Sequence, residues 1–311
     1  MTKYLFAAVL AAMATPSLAA AAVAAPASAA QPSAIAAPAR FSVEVVGSGP
    51  DVILIPGLSS SRAVWGATAE RLKATHRLHL VQVRGFGEPA GANATGPVLQ
   101  PFVDDVAAYI RREKIKSPAI VGHSMGGLAA LMLAADHPDI AARIMVVDAL
   151  PFIGTIFGAD SVAAVTPQAT TIRTMLLGQA DKVAPDYQLK PDCPVTLPAP
   201  ATPRGTMTNS GVGACLVAYG ASVSDLRVVG QAMYDDMVTD MRPRLGRIAT
   251  PVTMLYPHDD RLLTAKAAAT LYGTAYAALP KAKLVPIANS YHFIMQDRPA
   301  DFAAALDAFL K

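Results

Sequence analysis

The sequence predicts an α/β fold: a mainly parallel, twisted sheet with helices on both faces, interrupted by one helical and irregular insertion. Three observations lead there. Short apolar runs alternate with amphipathic stretches from residue 51 to 147 and again from 251 to 310, the rhythm of βαβ units. The run Asp51-Val52-Ile53-Leu54-Ile55 is apolar without alternation, as suits a strand covered on both faces. Between 151 and 247 the rhythm lapses into sequence containing Pro191, Pro194, Pro198, Pro200 and Pro203, residues that punctuate regular structure.

Taken in order, residues 41–46 alternate apolar and polar side chains and suit a half-exposed strand. Gly47-Ser48-Gly49-Pro50 is a turn leading into the buried strand at 51–55. Ser61 has the side chain to cap a helix running through Trp65, Ala69 and Leu72. Strand and helix then repeat, at 78–83, 102–112, 119–121, 128–135 and 144–147. Within the insertion, 169–177 and 223–238 have helical patterns. The series resumes with a strand at 251–256, a helix at 264–279, a strand at 282–287 and a final helix at 300–310. The expected organisation is a core of two parts, 41–150 and 248–311, with a lid-like excursion at 151–247, and no internal repeats.

Residues 1–30 have the form of an export signal: Lys3 is the positive start, 4–13 the apolar stretch, and Ala27-Ser28-Ala29 a small-residue cleavage site, with Ser17-Leu18-Ala19 as an earlier one. Cleavage after Ala19, Ala29 or Ala30 leaves a Pro/Ala linker, 31–40, ahead of the core. Pro16 and Pro26 break the apolar stretch, which at about ten residues is too short to span a bilayer. The expectation is a periplasmic or secreted protein with no stable membrane insertion. A formal net charge of +3, scattered along the chain, excludes an argument for a nucleic-acid partner. Outside the cytosol the two cysteines, Cys193 and Cys215, are expected to form a disulfide. No His/Cys/Asp/Glu spacing suggests a metal site.

The most informative stretch is Gly122-His123-Ser124-Met125-Gly126, between an apolar strand and an Ala/Leu-rich helix. A G-x-S-x-G in that position forms a sharp turn that exposes the serine hydroxyl, and its glycines are needed because strand and helix nearly touch. A serine hydroxyl is a weak nucleophile, so it needs a base, and the base needs an orienting acid. Loops after later strands supply Asp259-Asp260 and His292. His123 is expected to pack beside the serine rather than ionise, and His76, His79 and His137 to lie at the surface or at helix ends.

With these residues in view, the chain resembles the α/β-hydrolase superfamily, in the form with a cap inserted after the sixth strand. The resemblance rests on Ile55-Pro56-Gly57-Leu58 with Trp65, Val83-Arg84-Gly85-Phe86-Gly87, Gly122 to Gly127, 248–255 with Asp260, and His292-Phe293 leading to Pro299. It implies Ser124 as nucleophile, His292 as general base and Asp260 as acid, with Asp259 and Asp148 as the other candidates for the acid. It also implies an oxyanion hole from the backbone N–H groups of Leu58 and Met125, and no cofactor. Phe152, Phe157 and Phe293 are expected to contact substrate; Ile153, Met175, Leu176, Leu177, Met233 and Met237 extend that apolar lining. The expected activity is hydrolysis of a small ester-like acyl substrate, a carboxylester first, with lactone, amide or aminopeptidase-type and carbon–carbon bond cleavage as alternatives. A hydrolase-fold protein that binds a small ligand without turnover is the reading from another class.

Overall fold

The computed structural model describes residues 39–194, 207–279 and 281–311. The expected signal segment, all of the linker but Ala39 and Arg40, and Pro198, Pro200 and Pro203 lie outside the described residues.

Seven strands form one sheet: β1 (Phe41–Val46), β2 (Asp51–Ile55), β3 (Arg77–Val83), β4 (Ala119–His123), β5 (Arg143–Val147), β6 (Val252–His258) and β7 (Lys283–Ala288), in the order β1-β3-β2-β4-β5-β6-β7. β1 is antiparallel to β3 and every other pairing is parallel. The half-polar β1 lies at one edge and β2, apolar from Val52 to Ile55, lies inside the sheet, beside β4. Parallel strands require crossovers, and these are α1 (Gly66–Leu72), α2 (Leu99–Arg112), α3 (Met125–Asp136) and α7 (Ala265–Ala275). Ser61 Oγ accepts from Ala63 N at 3.0 Å, so it caps a short 3-10 turn ahead of α1. Two apolar clusters cover the two faces of the sheet: one built on α2, α3 and Ile53, the other on Trp65, Phe302 and Leu54.

The excursion leaves after β5 and returns at β6. It carries α4 (Val162–Ala180), α5 (Gly211–Ser222) and α6 (Leu226–Val238). The expected helix at 169–177 is the middle of α4, which contains Pro167 in its second turn, where proline forgoes an i→i−4 hydrogen bond. α5 has no counterpart in the sequence expectation, because its Gly/Ala-rich run gives no apolar stripe to read. Backbone bonds tie the excursion to the C-terminal ends of the strands. Gly87 N donates to Val223 O (2.9 Å), Asp225 N to Gly85 O (2.8 Å) and Phe293 N to Met207 O (2.9 Å). Cys193 and Cys215 are bonded, with Cα atoms 5.7 Å apart.

His79, expected at the surface, is buried, its ring bonded to Tyr109 Oη (2.7 Å) and Asp51 Oδ1 (2.9 Å). It sits on the interior strand β3, where an imidazole is tolerated because both ring nitrogens find partners. α9 (Pro299–Leu310) closes the chain behind a single turn, α8 (Ile294–Asp297).

Candidate active site

Ser124 stands between the last residue of β4 and the first of α3, with φ 55° and ψ −126°. That conformation is strained for a residue with a side chain and is held from both sides. Ser124 N donates to Val147 O (2.9 Å), continuing the β4–β5 ladder, while its carbonyl accepts from Gly127 N (2.7 Å) and Leu128 N (3.1 Å) in the first turn of α3. A Cβ on Gly122 would collide with the backbone of Gly126, and one on Gly126 with the carbonyls of Ile55 and Pro56. The turn therefore closes only with glycine at both places. The serine side chain points outward from this knot and makes no hydrogen bond to any described residue.

Two backbone donors flank it. Neither Leu58 N nor Met125 N has an acceptor among the described residues. Gly57, next to Leu58, lies against the elbow, where an added Cβ would stand 2.9 Å from Ser124 Cβ. Two unpaired N–H groups beside a serine hydroxyl are the donor pattern that stabilises a developing oxyanion.

His292 follows β7, and its Nδ1 lies 2.7 Å from Asp148 Oδ2. This corrects the expectation of Asp260 as the partner acid. Asp260 is exposed and makes no hydrogen bond or ion pair among the described residues. The reason is local: Asp259 folds back on Arg261, accepting from its backbone and guanidinium (Nε 2.8 Å, Nη2 2.7 Å), and pairs with Leu263. The resulting tight turn leaves Asp260 at its apex, facing solvent. Arg261 also holds the Asp259 carboxyl below its ordinary pKa, so Asp259 is engaged elsewhere too. Asp148 instead ends β5, next to β4 in the sheet, with φ 47° and its N–H bonded to Leu255 O (2.9 Å). Its other oxygen, Oδ1, accepts from the Tyr272 hydroxyl. Tyr272 is buried and stacks on Tyr256 with ring centres 4.9 Å apart, while Tyr276 Oη holds the neighbouring Ala149 carbonyl at 2.8 Å. With two donors on the Asp148 carboxylate, the His292 proton sits on Nδ1 and Nε2 is left as the basic nitrogen.

The His292 loop is braced from both sides. His123 is fully buried and donates Nε2–H to the His292 carbonyl at 2.9 Å. Burial keeps its pKa well below the ordinary value, so it remains neutral with a bare Nδ1. The rings of His123 and His292 are 4.5 Å apart, which places His292 beside the residue preceding Ser124. On the other side, Asp297 accepts from Tyr291 N (2.7 Å), Asn209 N (3.0 Å), Ser210 N (3.2 Å) and the Thr208 hydroxyl. The excursion thus reaches back to fix the loop that presents His292.

The expected apolar lining divides. Phe293 is buried against both His123 (4.7 Å) and His292 (5.6 Å). Phe152 is wholly enclosed, with the Arg242 guanidinium 4.4 Å over its ring, and is a core residue. Phe157 is half-buried against the same core. Leu177 points to solvent, whereas Leu176, Met233 and Met237 are core. Among the described residues no three His, Cys, Asp or Glu side chains group as metal ligands, and no helix is long and apolar enough to cross a membrane. An open hollow lined by Asp51, His76, Lys116 and Arg143 lies at the opposite, N-terminal ends of the strands and has no part in this arrangement.

A largely parallel sheet carrying a strained serine elbow at a strand's C-terminal end defines an enzyme of the α/β class. The chain belongs to the alpha/beta hydrolase family, which matches it over residues 52–305, and it is a hydrolase. It is 25% identical over 265 residues to a pimeloyl-[acyl-carrier protein] methyl ester esterase of Vibrio atlanticus, covering 85% of this chain and 93% of the relative. A second esterase of that name, from Vibrio vulnificus, is 25% identical over 264 residues, covering 85% and 95%. Among solved structures, the enol-lactonase of Burkholderia xenovorans superposes with a TM-score of 0.64 at 21% identity, over 87% of this chain and 96% of its own. A thermophilic esterase from Thermogutta terrifontis superposes with a TM-score of 0.63 at 17% identity, over 87% and 92%.

Sequence reasoning missed Tyr272, Tyr276 and Asp297. The first two look like ordinary amphipathic-helix residues, and only the fold brings them to the β5 loop.

Proposed function

We propose that the protein is an exported serine esterase that cleaves a small carboxylic ester through an acyl-enzyme, with Ser124 as nucleophile, His292 as general base and Asp148 as the orienting acid. The observation that carries this reading is the His292 Nδ1–Asp148 Oδ2 bond at 2.7 Å beside the serine elbow. His292 Nε2 takes the hydroxyl proton as Ser124 Oγ attacks the ester carbonyl. The oxyanion that forms is met by Leu58 N–H and Met125 N–H, and each such donor is worth about 3 kcal/mol in the transition state. His292 returns the proton to the departing alcohol, and water repeats the sequence to free the acid. The absent Ser124–His292 hydrogen bond fits a centre without substrate, where such contacts are often long.

The methyl ester esterase relatives favour a carboxylester over other acyl compounds. The Cys193–Cys215 disulfide supports the exported location, since such bonds persist in oxidising compartments. Ser124→Ala is the test. It should abolish turnover of chromogenic esters of graded acyl length and labelling by a fluorophosphonate probe. Undiminished turnover in the variant overturns the assignment.

A further inference from the structure

The excursion touches both loops that carry the proposed chemistry, and it does so from the two ends of one helix, α5. Ahead of its N-terminal end, Met207 O accepts from Phe293 N (2.9 Å) and Asn209 Nδ2 donates to Asn289 O (2.9 Å). Asn209 N and Ser210 N donate to Asp297 (3.0 and 3.2 Å). These bonds hold the loop of His292. At the C-terminal end, Gly220 lies against the residue that follows Leu58: a Cβ added to Gly220 would collide with the Ser59 carbonyl oxygen. Helix and loop therefore meet backbone to backbone. Beside that contact, Ser59 Oγ donates to Ser224 Oγ (3.0 Å), and Ser224 Oγ donates to Gly220 O (2.7 Å).

Ser59 needs this hold. Its φ is 51°, a costly conformation for a residue with a side chain, which persists only where the surroundings fix it. Ser224 is itself anchored. It is 3% exposed and forms an antiparallel bridge with Phe86, between the bonds that join Val223 to Gly87 and Asp225 to Gly85. Leu58 is thus held on one side by Gly57, packed on the elbow, and on the other by Ser59, packed on α5.

We propose that Gly220 and Ser224 are positioning residues of the hydrolysis reaction: through Ser59 they aim the Leu58 N–H at the oxyanion, while the other end of the same helix steadies His292. This rests on the esterase reading above and extends its centre to residues that act through the loop rather than on the substrate. A backbone donor lowers the barrier only when it already points at the place where charge develops. A small shift of the loop therefore weakens the transition state more than the bound substrate.

The variants are Gly220→Ala, which pushes one methyl group onto Ser59, and Ser224→Ala, which removes one hydroxyl and keeps the packing. Ser222→Ala, the same change at an exposed position of α5, is the control. Each protein is titrated to completion with a fluorophosphonate, so that rates refer to folded, reactive serine. Steady-state kinetics on a chromogenic ester then gives kcat and KM. An alkyl trifluoromethyl ketone is the second probe, because its adduct with Ser124 carries an oxyanion where that of the ester forms.

Removing an oxyanion donor outright costs about 10²–10³ in kcat, so displacing one should cost about tenfold or more in each variant, with KM within about twofold of native. The inhibition constant of the ketone should rise by the factor that kcat falls, the acid limb of the pH profile should not move, and Ser222→Ala should match the native protein. If Gly220→Ala does not fold, Ser224→Ala decides. Native kcat and ketone affinity in Ser224→Ala, or a rise in KM at native kcat, overturns the proposal. Native rates in both variants with Ser124→Ala inactive remove the positioning role and leave the esterase reading standing. Weakened ketone binding in both variants of a protein that turns over no ester does the reverse.

Discussion

Tyr272 donates its hydroxyl to Asp148 Oδ1, the oxygen that His292 leaves free. The Asp148 carboxylate is thus clamped between two rings, one of them a tyrosine from α7 that stands far from the serine in sequence. Burial and the nearby Asp148 push the Tyr272 hydroxyl well above its ordinary pKa, so it stays a donor across the working pH range. Tyr272→Phe keeps the ring that stacks on Tyr256 and removes only that donor. The expected result is a fall in kcat of about tenfold, matching one lost charge-assisted hydrogen bond, with KM little changed. Steady-state kinetics on a chromogenic ester reads both, and an unchanged kcat means that Tyr272 does not position the acid.

The disulfide closes a loop of sequence separation 22. Chain entropy makes such a closure worth about 3 kcal/mol against the unfolded chain. Cys193→Ser/Cys215→Ser should therefore unfold at lower urea concentration, with an m-value no smaller than the native protein's, because the unlinked denatured chain is less compact. A coincident midpoint would show that the bond constrains little that the rest of the fold does not.

Asp236 imposes a pH dependence on stability. Burial raises its pKa in the folded protein to about 7, from the ordinary 3.8 of an aspartate. A raised carboxyl pKa means that the folded state holds the proton longer than the unfolded one, so this group lowers stability as pH climbs between those two values. Asp236→Asn removes that loss. Its stability advantage over the native protein should be smallest near pH 4 and grow on approaching pH 7, by an amount on the order of a few kcal/mol. Urea unfolding of both proteins across that range checks it, and a pH-independent difference contradicts it.

Most of the fold was legible because the strands are short apolar runs and their helices amphipathic: β1 and β2 match the expected 41–46 and 51–55 residue for residue. The serine elbow was legible because its two glycines are dictated by contact with Gly126, Ile55 and Pro56. The acid was not. Asp260 follows its strand at the family's spacing, yet one arginine two residues after Asp259 reshapes that turn and sends Asp260 outward. Asp148 sits before Leu150-Pro151 and looks like a loop residue in one dimension; only the fold brings the end of β5 to the loop after β7 that carries the imidazole. Lining residues of the excursion were legible only as apolar, since sequence cannot tell the enclosed Phe152 from the ring of Phe293 beside His292.

The most direct measurement compares Asp148→Asn with Asp260→Asn on the same ester. Losing the acid of a Ser-His-Asp centre typically lowers kcat by about 10⁴, so Asp148→Asn should fall by about that order while Asp260→Asn stays near the native rate. A collapse in Asp260→Asn with Asp148→Asn unaffected would contradict the account.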